Sequence, residues 1–230
     1  LGPVTAVDYP ELDIANETAL AAYVRAQAPD VLVNAAAYTA VDKAESDEAV
    51  ALAVNGTAPG VMAREMARLG GLMVHYSTDY VFDGRKAGAW TEDDVPAPIS
   101  AYGRTKLAGE QAVAAAGGAH FIFRTAWVYG RRGGNFMLTM IRLMRERDEL
   151  RVVADQHGTP TWCRTLADIP AQIIARCWGD DAARDLVRRE QGGVYHLTNA
   201  GATTWHEYAC AIRDTAPELA ARRHVRVHPI

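Results

Sequence analysis

Short apolar runs alternate with helical stretches along nearly the whole chain, and few architectures accept such an alternation. Residues 4–7, 31–34 ("VLVN"), 72–77, 120–125 ("HFIFRT"), 150–154 ("LRVVA") and 193–198 ("GVYHLT") read as strands. The run 31–34 is continuously apolar, as expected for a strand covered on both faces. Between the runs, Asn16 can cap a helix in which Leu20, Tyr23 and Val24 share a face and which Pro29 ends. Further helices are expected over 44–69 (bent near Pro59-Gly60), from Ser100 to about 116, over 136–146 and 165–178, and from Trp205 onward. Strand alternating with helix predicts an α/β fold, a doubly wound parallel sheet with helices on both faces. With 230 residues, about half of them hydrophobic, the chain can bury one large core, or one core and a smaller lobe.

Composition narrows the function classes. A formal charge of −4 offers no general attraction to nucleic acid or to an acidic membrane surface. No apolar run approaches the roughly 20 residues that span a bilayer, and no basic-then-apolar leader opens the chain. Cys163, Cys177 and Cys210 lie far apart, which argues against a zinc site or disulfide framework and for a reducing, cytoplasmic setting. The opening Leu1-Gly2-Pro3-Val4 has no initiator Met, and the closing "RHVRVHPI" ends in what reads as another strand, so both ends read as cut.

In parallel sheets, ligands bind beyond the carboxyl ends of the strands. Asp8, Asn34-Ala35-Ala36-Ala37, Ser77-Thr78-Asp79 and Thr125-Ala126-Trp127 all follow expected strands and so share one rim. Each alone is an ordinary loop, but four small or polar strand ends together favour a site. The stretch "HYSTDYVFDG" (75–84) is either a plain turn or part of that rim. Tyr102 and Lys106, in "AYGRTKLAGE", stand i, i+4 at the start of a helix and face the same side. An ammonium near a phenol favours phenolate by Coulomb attraction, which makes an acid/base pair of the two. Alone, this spacing is a weak signal that more often marks a core tyrosine with a snorkelling lysine.

The pair has company. Thr78 stands on the preceding rim, where a hydroxyl can bond the same substrate oxygen as the phenol. A hydroxyl at a strand end followed by Y-x-x-x-K on the next helix resembles the extended short-chain dehydrogenase/reductase superfamily, and within it the dTDP-4-dehydrorhamnose reductase family. The resembling stretches are "PDVLVNAAAYTAVDKAE", "VHYSTDYVFDG", "PISAYGRTKLAGE", "FRTAWVYG", "GNF", "DQHGTPT" and "VYHLTNAGATTWHEYA", in order along nearly the whole chain.

The resemblance implies a Rossmann-like dinucleotide-binding domain over 1–130, to which later segments return. Mixed segments over 131–230 would contribute to the sheet and to a smaller C-terminal substrate-binding lobe. It implies an oxidoreductase that reduces dTDP-4-dehydro-L-rhamnose to dTDP-L-rhamnose with NADPH or NADH, the last step of dTDP-L-rhamnose biosynthesis for cell wall polysaccharide. Tyr102 would be the proton donor to the sugar's C4 oxygen, and Lys106 would hold the nicotinamide ribose while lowering the phenol's pKa. Thr78 is the third catalytic position. Asp13, Ile14, Ala37, Tyr38, Thr39 and Tyr76 would line the cofactor, with Tyr102 and Lys106. Thr78, Asp79, Trp127, Asn135 and Gln156 would contact the sugar nucleotide, although a core role suits Trp127 equally.

Two departures from the family pattern stand out. Its N-terminal strand and glycine-rich G-x-x-G-x-x-G phosphate loop are absent from this sequence, so poor cofactor binding is expected of the chain as written. Some members pair through magnesium held by glutamates, and one matching position here is Arg164, which cannot ligate a cation. No metal site is expected, and the oligomer would be a monomer or a dimer without a metal bridge. Asp8 would repel a 2'-phosphate and favours NADH, whereas the resemblance implies tolerance of both cofactors, usually with NADPH.

Competing readings are a nucleotide-sugar epimerase or dehydratase of the same superfamily, or a non-catalytic subunit resembling the regulatory subunit of methionine adenosyltransferase. His196 and His206 read as structural, and Arg184, Arg188 and Arg189 as a solvated helix face. Arg222 and Arg223 are candidates for meeting a diphosphate.

Overall fold

The computed structural model describes residues 2–230, which divide into two compact units. One comprises residues 2–124 and 171–196, the other 125–170 and 197–230.

The first unit carries α1 (Glu17–Gln27), β1 (Val31–Asn34), α2 (Val41–Ala44), α3 (Glu48–Leu52), α4 (Ala58–Leu69), β2 (Leu72–Thr78), α5 (Ala101–Ala115) and β3 (Ala119–Thr125). Its sheet is parallel, in the order β1-β2-β3 and then a later strand at residues 193–196. Leu20 and Val24 of α1, Met62 and Met66 of α4, and Val113 of α5 pack with Met73 and Ile122 of the sheet. The expected caps are in place: Asn16 Oδ1 accepts from Ala19 N at 3.1 Å, and Ser100 Oγ accepts from Gly103 N at 3.1 Å. Each satisfies a backbone donor that the first turn leaves unpaired.

Three expectations about this unit need correction. Residues 4–7 form no strand and Val4 is 82% exposed: a β run without a ladder partner leaves its backbone to solvent. Among the described residues the strand 31–34 is an edge strand paired with β2 alone, and it is not covered on both faces, since nothing packs over Val33, which stays 50% exposed. The helical stretch 44–69 is interrupted at residues 45–47 and then runs on from 48 to 69, with a π-helical turn at 53–57 just ahead of Pro59.

The second unit carries β4 (Val128–Tyr129), α6 (Phe136–Glu146), β5 (Glu149–Val152), β6 (His157–Gly158), β7 (Thr161–Trp162) and the start of α7 (Cys163–Cys177). The chain then adds α8 (Asp181–Leu186) and β8 (Gly193–His196) to the first unit, and β9 (Thr203–Thr204), α9 (Trp205–Thr215) and β10 (Arg226–Pro229) to the second. Here β5 pairs in parallel with β10, and Met140, Met144, Leu150, Val152, Ile212, Leu219 and Val225 form a separate core. Among the described residues no helix is long and apolar enough to cross a membrane.

Candidate active site

The carboxyl end of β2 and the start of α5 meet because small residues let them. A Cβ added at Gly103 would stand 2.2 Å from the Tyr80 carbonyl oxygen, and one at Gly109 would stand 2.1 Å from the Asn55 carbonyl oxygen. No other side chain fits at either position without moving backbone. The helix N-terminus is tied down further by Ala101 N, which donates to Glu45 Oε1 at 2.8 Å.

On this frame Tyr102 comes against Thr78, and Lys106, one turn further along α5, reaches the backbone of β2 at Tyr76. Thr78 is 5% exposed, its hydroxyl donates to Asp79 Oδ1 at 3.1 Å and accepts from Tyr80 N at 3.2 Å, and it stands near enough to the Tyr102 phenol to act on its pKa. The Tyr80 ring meets the Tyr102 ring edge-on, with centroids 5.4 Å apart. Lys106 is 2% exposed and its ammonium donates to the Tyr76 carbonyl oxygen at 2.6 Å.

The electrostatics differ from expectation at one point. Burial pushes the Tyr102 phenol up to about 12, against the lowering bond from Thr78 and with raising contributions from Asp79 and Tyr80. Lys106 is not among the influences on it, because the ammonium is directed at a strand carbonyl rather than at the phenol. Burial also pulls Lys106 down to about 8, with the Glu110 carboxylate opposing the shift. The Asp79 carboxyl is raised, again by burial first.

The sequence reading missed the layer behind these groups. Ser77 Oγ donates to Glu110 Oε1 at 2.5 Å, and Arg124 grips the same carboxylate through Nε at 2.9 and 3.2 Å and Nη2 at 2.7 Å. Asn55 is 1% exposed: its Oδ1 accepts from Tyr38 N at 2.8 Å, and its Nδ2 donates to Tyr38 O at 3.0 Å and to Thr105 Oγ1 at 3.3 Å. That clamp fixes the loop after β1 to α5. The only sequence signal for Glu110 was its place one turn beyond Lys106, a spacing usually read as a solvated ion pair.

The other candidate residues fall into separate groups. Ala37, Tyr38 and Thr39 lie in the loop beyond β1, where Ala35 and Ala36 are exposed, and Tyr38 OH donates to Asp47 Oδ2 at 3.0 Å. Ile14 packs on the core of the first unit, and Asp13 Oδ1 accepts from Ala15 N at 2.9 Å. Asp8 is exposed and accepts from its neighbour Tyr9 N at 2.8 Å.

Trp127, Asn135 and Gln156 belong to the second unit. Trp127 holds a left-handed backbone (φ 46) and stacks on Trp205 with centroids 3.5 Å apart, while a Cβ at Gly158 would strike the indole at 2.4 Å. Asn135 caps α6 through Leu138 N at 3.1 Å and donates to Gly130 O at 2.8 Å, and Gln156 is exposed. Among the described residues no cluster of three or more His, Cys, Asp or Glu is placed to hold a metal ion.

Known proteins resemble this chain over its whole length. The sequence model of the RmlD substrate binding domain matches residues 2–230. A dTDP-4-dehydrorhamnose reductase of Burkholderia thailandensis is 51% identical over 212 residues, which cover 92% of this chain and 70% of that protein. The crystal structure of a dTDP-4-dehydrorhamnose reductase from Clostridium acetobutylicum aligns with a TM-score of 0.85 at 38% identity, over 97% of this chain and 73% of that one. The enzyme of the same name from Bacillus anthracis, solved in complex with NADP, aligns with a TM-score of 0.84 at 36% identity and the same coverage. This chain spans between 66% and 73% of the length of such relatives.

Proposed function

The chain belongs to the RmlD substrate binding domain family, and from that premise we propose that it reduces dTDP-4-dehydro-L-rhamnose to dTDP-L-rhamnose with NADPH or NADH. The observation that carries the reading is the Tyr102 phenol set against Thr78 where β2 ends and α5 begins, with the buried Lys106 ammonium one turn further along α5 on the Tyr76 carbonyl. The residues present fit a dinucleotide. Ala35 and Ala36 leave the backbone beyond β1 open to close approach, and the ammonium keeps N–H donors beyond the one that Tyr76 O accepts. Ala37, Tyr38, Thr39, Tyr76 and Lys106 would hold the cofactor there, which when bound supplies the hydride that reduces the sugar's C4 ketone.

The chain's own groups manage the proton. At neutral pH a phenol near 12 carries its proton, so Tyr102 is the donor to the C4 oxygen as negative charge grows on it. A secondary alkoxide is more basic even than this phenolate, so the transfer runs downhill. Thr78 can turn its O–H from Asp79 Oδ1 to the same oxygen as a second donor, and the Lys106 ammonium, charged below about 8 and held on the Tyr76 carbonyl, is assigned to the cofactor. Asp79 beside Thr78, with Trp127, Asn135 and Gln156, is assigned to the sugar nucleotide, Asn135 and Gln156 on the sequence resemblance alone. Arg164 pairs with Asp168 at 3.1 Å on an exposed helical face, which suits a monomer or a dimer without a metal bridge, acting in the cytoplasm.

Purified full-length protein should oxidise NADPH or NADH only when the keto-sugar nucleotide is present, with dTDP-L-rhamnose as product. Keto-sugar-independent behaviour, or no turnover at all, would favour a regulatory subunit instead.

A further inference from the structure

We propose that Glu110 is a positioning residue of this site, its carboxylate holding α5 in register on β2 and β3 so that Tyr102 meets Thr78 and Lys106 meets the Tyr76 carbonyl. The proposal rests on the roles just given to those three residues. Tyr102, Lys106 and Glu110 lie at i, i+4 and i+8, one stripe of α5. Four helical residues rise about 6 Å, close to the roughly 6.6 Å of two strand residues. Going down α5 from Val113 through Gly109 to Lys106 and Tyr102 therefore follows β2 up from Met73 through His75 to Tyr76 and Thr78. Gly109 and Val113, where α5 lies on His75 and Met73, are small and apolar and give no directional hold on that register. Glu110 and Arg124 are 4% and 6% exposed, and the two-pronged guanidinium with the Ser77 hydroxyl admits one alignment of the carboxylate. Ser77 is also the strand residue between Tyr76 and Thr78, so the anchor sits between the two contacts it sets. The carboxylate has a second effect, since Lys106 is faced by Glu110 on its own helix and by His75 on β2, which burial keeps neutral, with Arg124 on β3 behind Glu110.

Two variants of the full-length protein test this. Ser77→Ala removes one hydroxyl and no charge, and should lower kcat about ten- to hundredfold through a displacement of an ångström or less, with the melt and the KM for the sugar nucleotide little changed. Glu110→Gln keeps the shape and removes the charge, and should move both the alkaline limb of the rate profile and the NMR titration of the Lys106 Nζ to lower pH. A carboxylate that merely stabilised the fold would lower the melt and leave both titrations in place. Wild-type kcat in Ser77→Ala together with unmoved titrations in Glu110→Gln overturns the proposal. If the wild type shows no keto-sugar-dependent turnover, the functional reading fails, and an unmoved Lys106 titration in Glu110→Gln by itself then overturns the role of Glu110.

Discussion

Thr78 does two things with one oxygen: it accepts from Tyr80 N to close the strand and donates to Asp79 Oδ1 beside the Tyr102 phenol. Thr78→Val keeps the β-branched shape that a strand end accepts and deletes the hydroxyl. Losing a donor to a developing oxyanion costs about 2.7–4 kcal/mol, so kcat should fall on the order of 10² to 10³ with the melting temperature nearly unchanged. Equal turnover in wild type and variant would mean that the hydroxyls simply finish a strand. Lys106 sets the pH dependence. Its ammonium is intact below about 8 and is lost as pH rises through that value, whereas Tyr102, near 12, keeps its proton throughout. Turnover at saturating substrate should therefore hold level from neutral pH and fall above about 8. A profile that stays level to pH 10 would exclude Lys106 as the group that must be charged.

The elements succeed or fail as packed neighbours. Gly103 passes within contact of the Tyr80 backbone, so Gly103→Ala must push α5 off the end of β2. Overpacking of this kind costs about 1–3 kcal/mol, and turnover should drop with the melt because Tyr102 is the next residue in the chain. An unchanged melt in that variant would show that α5 does not depend on this approach. What could be foreseen in the sequence follows the range of the forces involved. Asn16, Ser100 and Asn135 cap helices through donors three residues away, so local reading finds those helices. Residues 4–7 have strand composition but a strand is made by its partner, which lies elsewhere in the chain or nowhere. The π turn at 53–57 brings Asn55 onto Tyr38 and Thr105, contacts that no periodicity announces. Tyr102, Lys106 and Thr78 were legible as a pattern. The phenol's environment was not, because it depends on where the Lys106 side chain turns and on how deeply the ring is buried.

Across the whole molecule, each of the two units has its own core, one built on Met66, Met73 and Ile122 and the other on Met144, Leu150 and Ile212. Tyr102, Lys106 and Thr78 belong entirely to the first unit and Trp127 with its Trp205 stack to the second. Arg164, engaged with Asp168, presents no carboxylate to a cation. Sedimentation of the full-length protein should accordingly give the same oligomer with magnesium and with EDTA, and a dimer that falls apart on chelation would refute that assignment. The central claim is that Tyr102 gives the proton in a keto-sugar reduction. Its most direct test is turnover of NADPH and dTDP-4-dehydro-L-rhamnose by the full-length protein beside its Tyr102→Phe variant, with cofactor affinity and melt measured on both. General acid catalysis contributes about 10² to 10⁴, so the variant should lose at least about a hundredfold in kcat while binding the cofactor and melting like the wild type. Near-normal turnover by Tyr102→Phe would contradict the account.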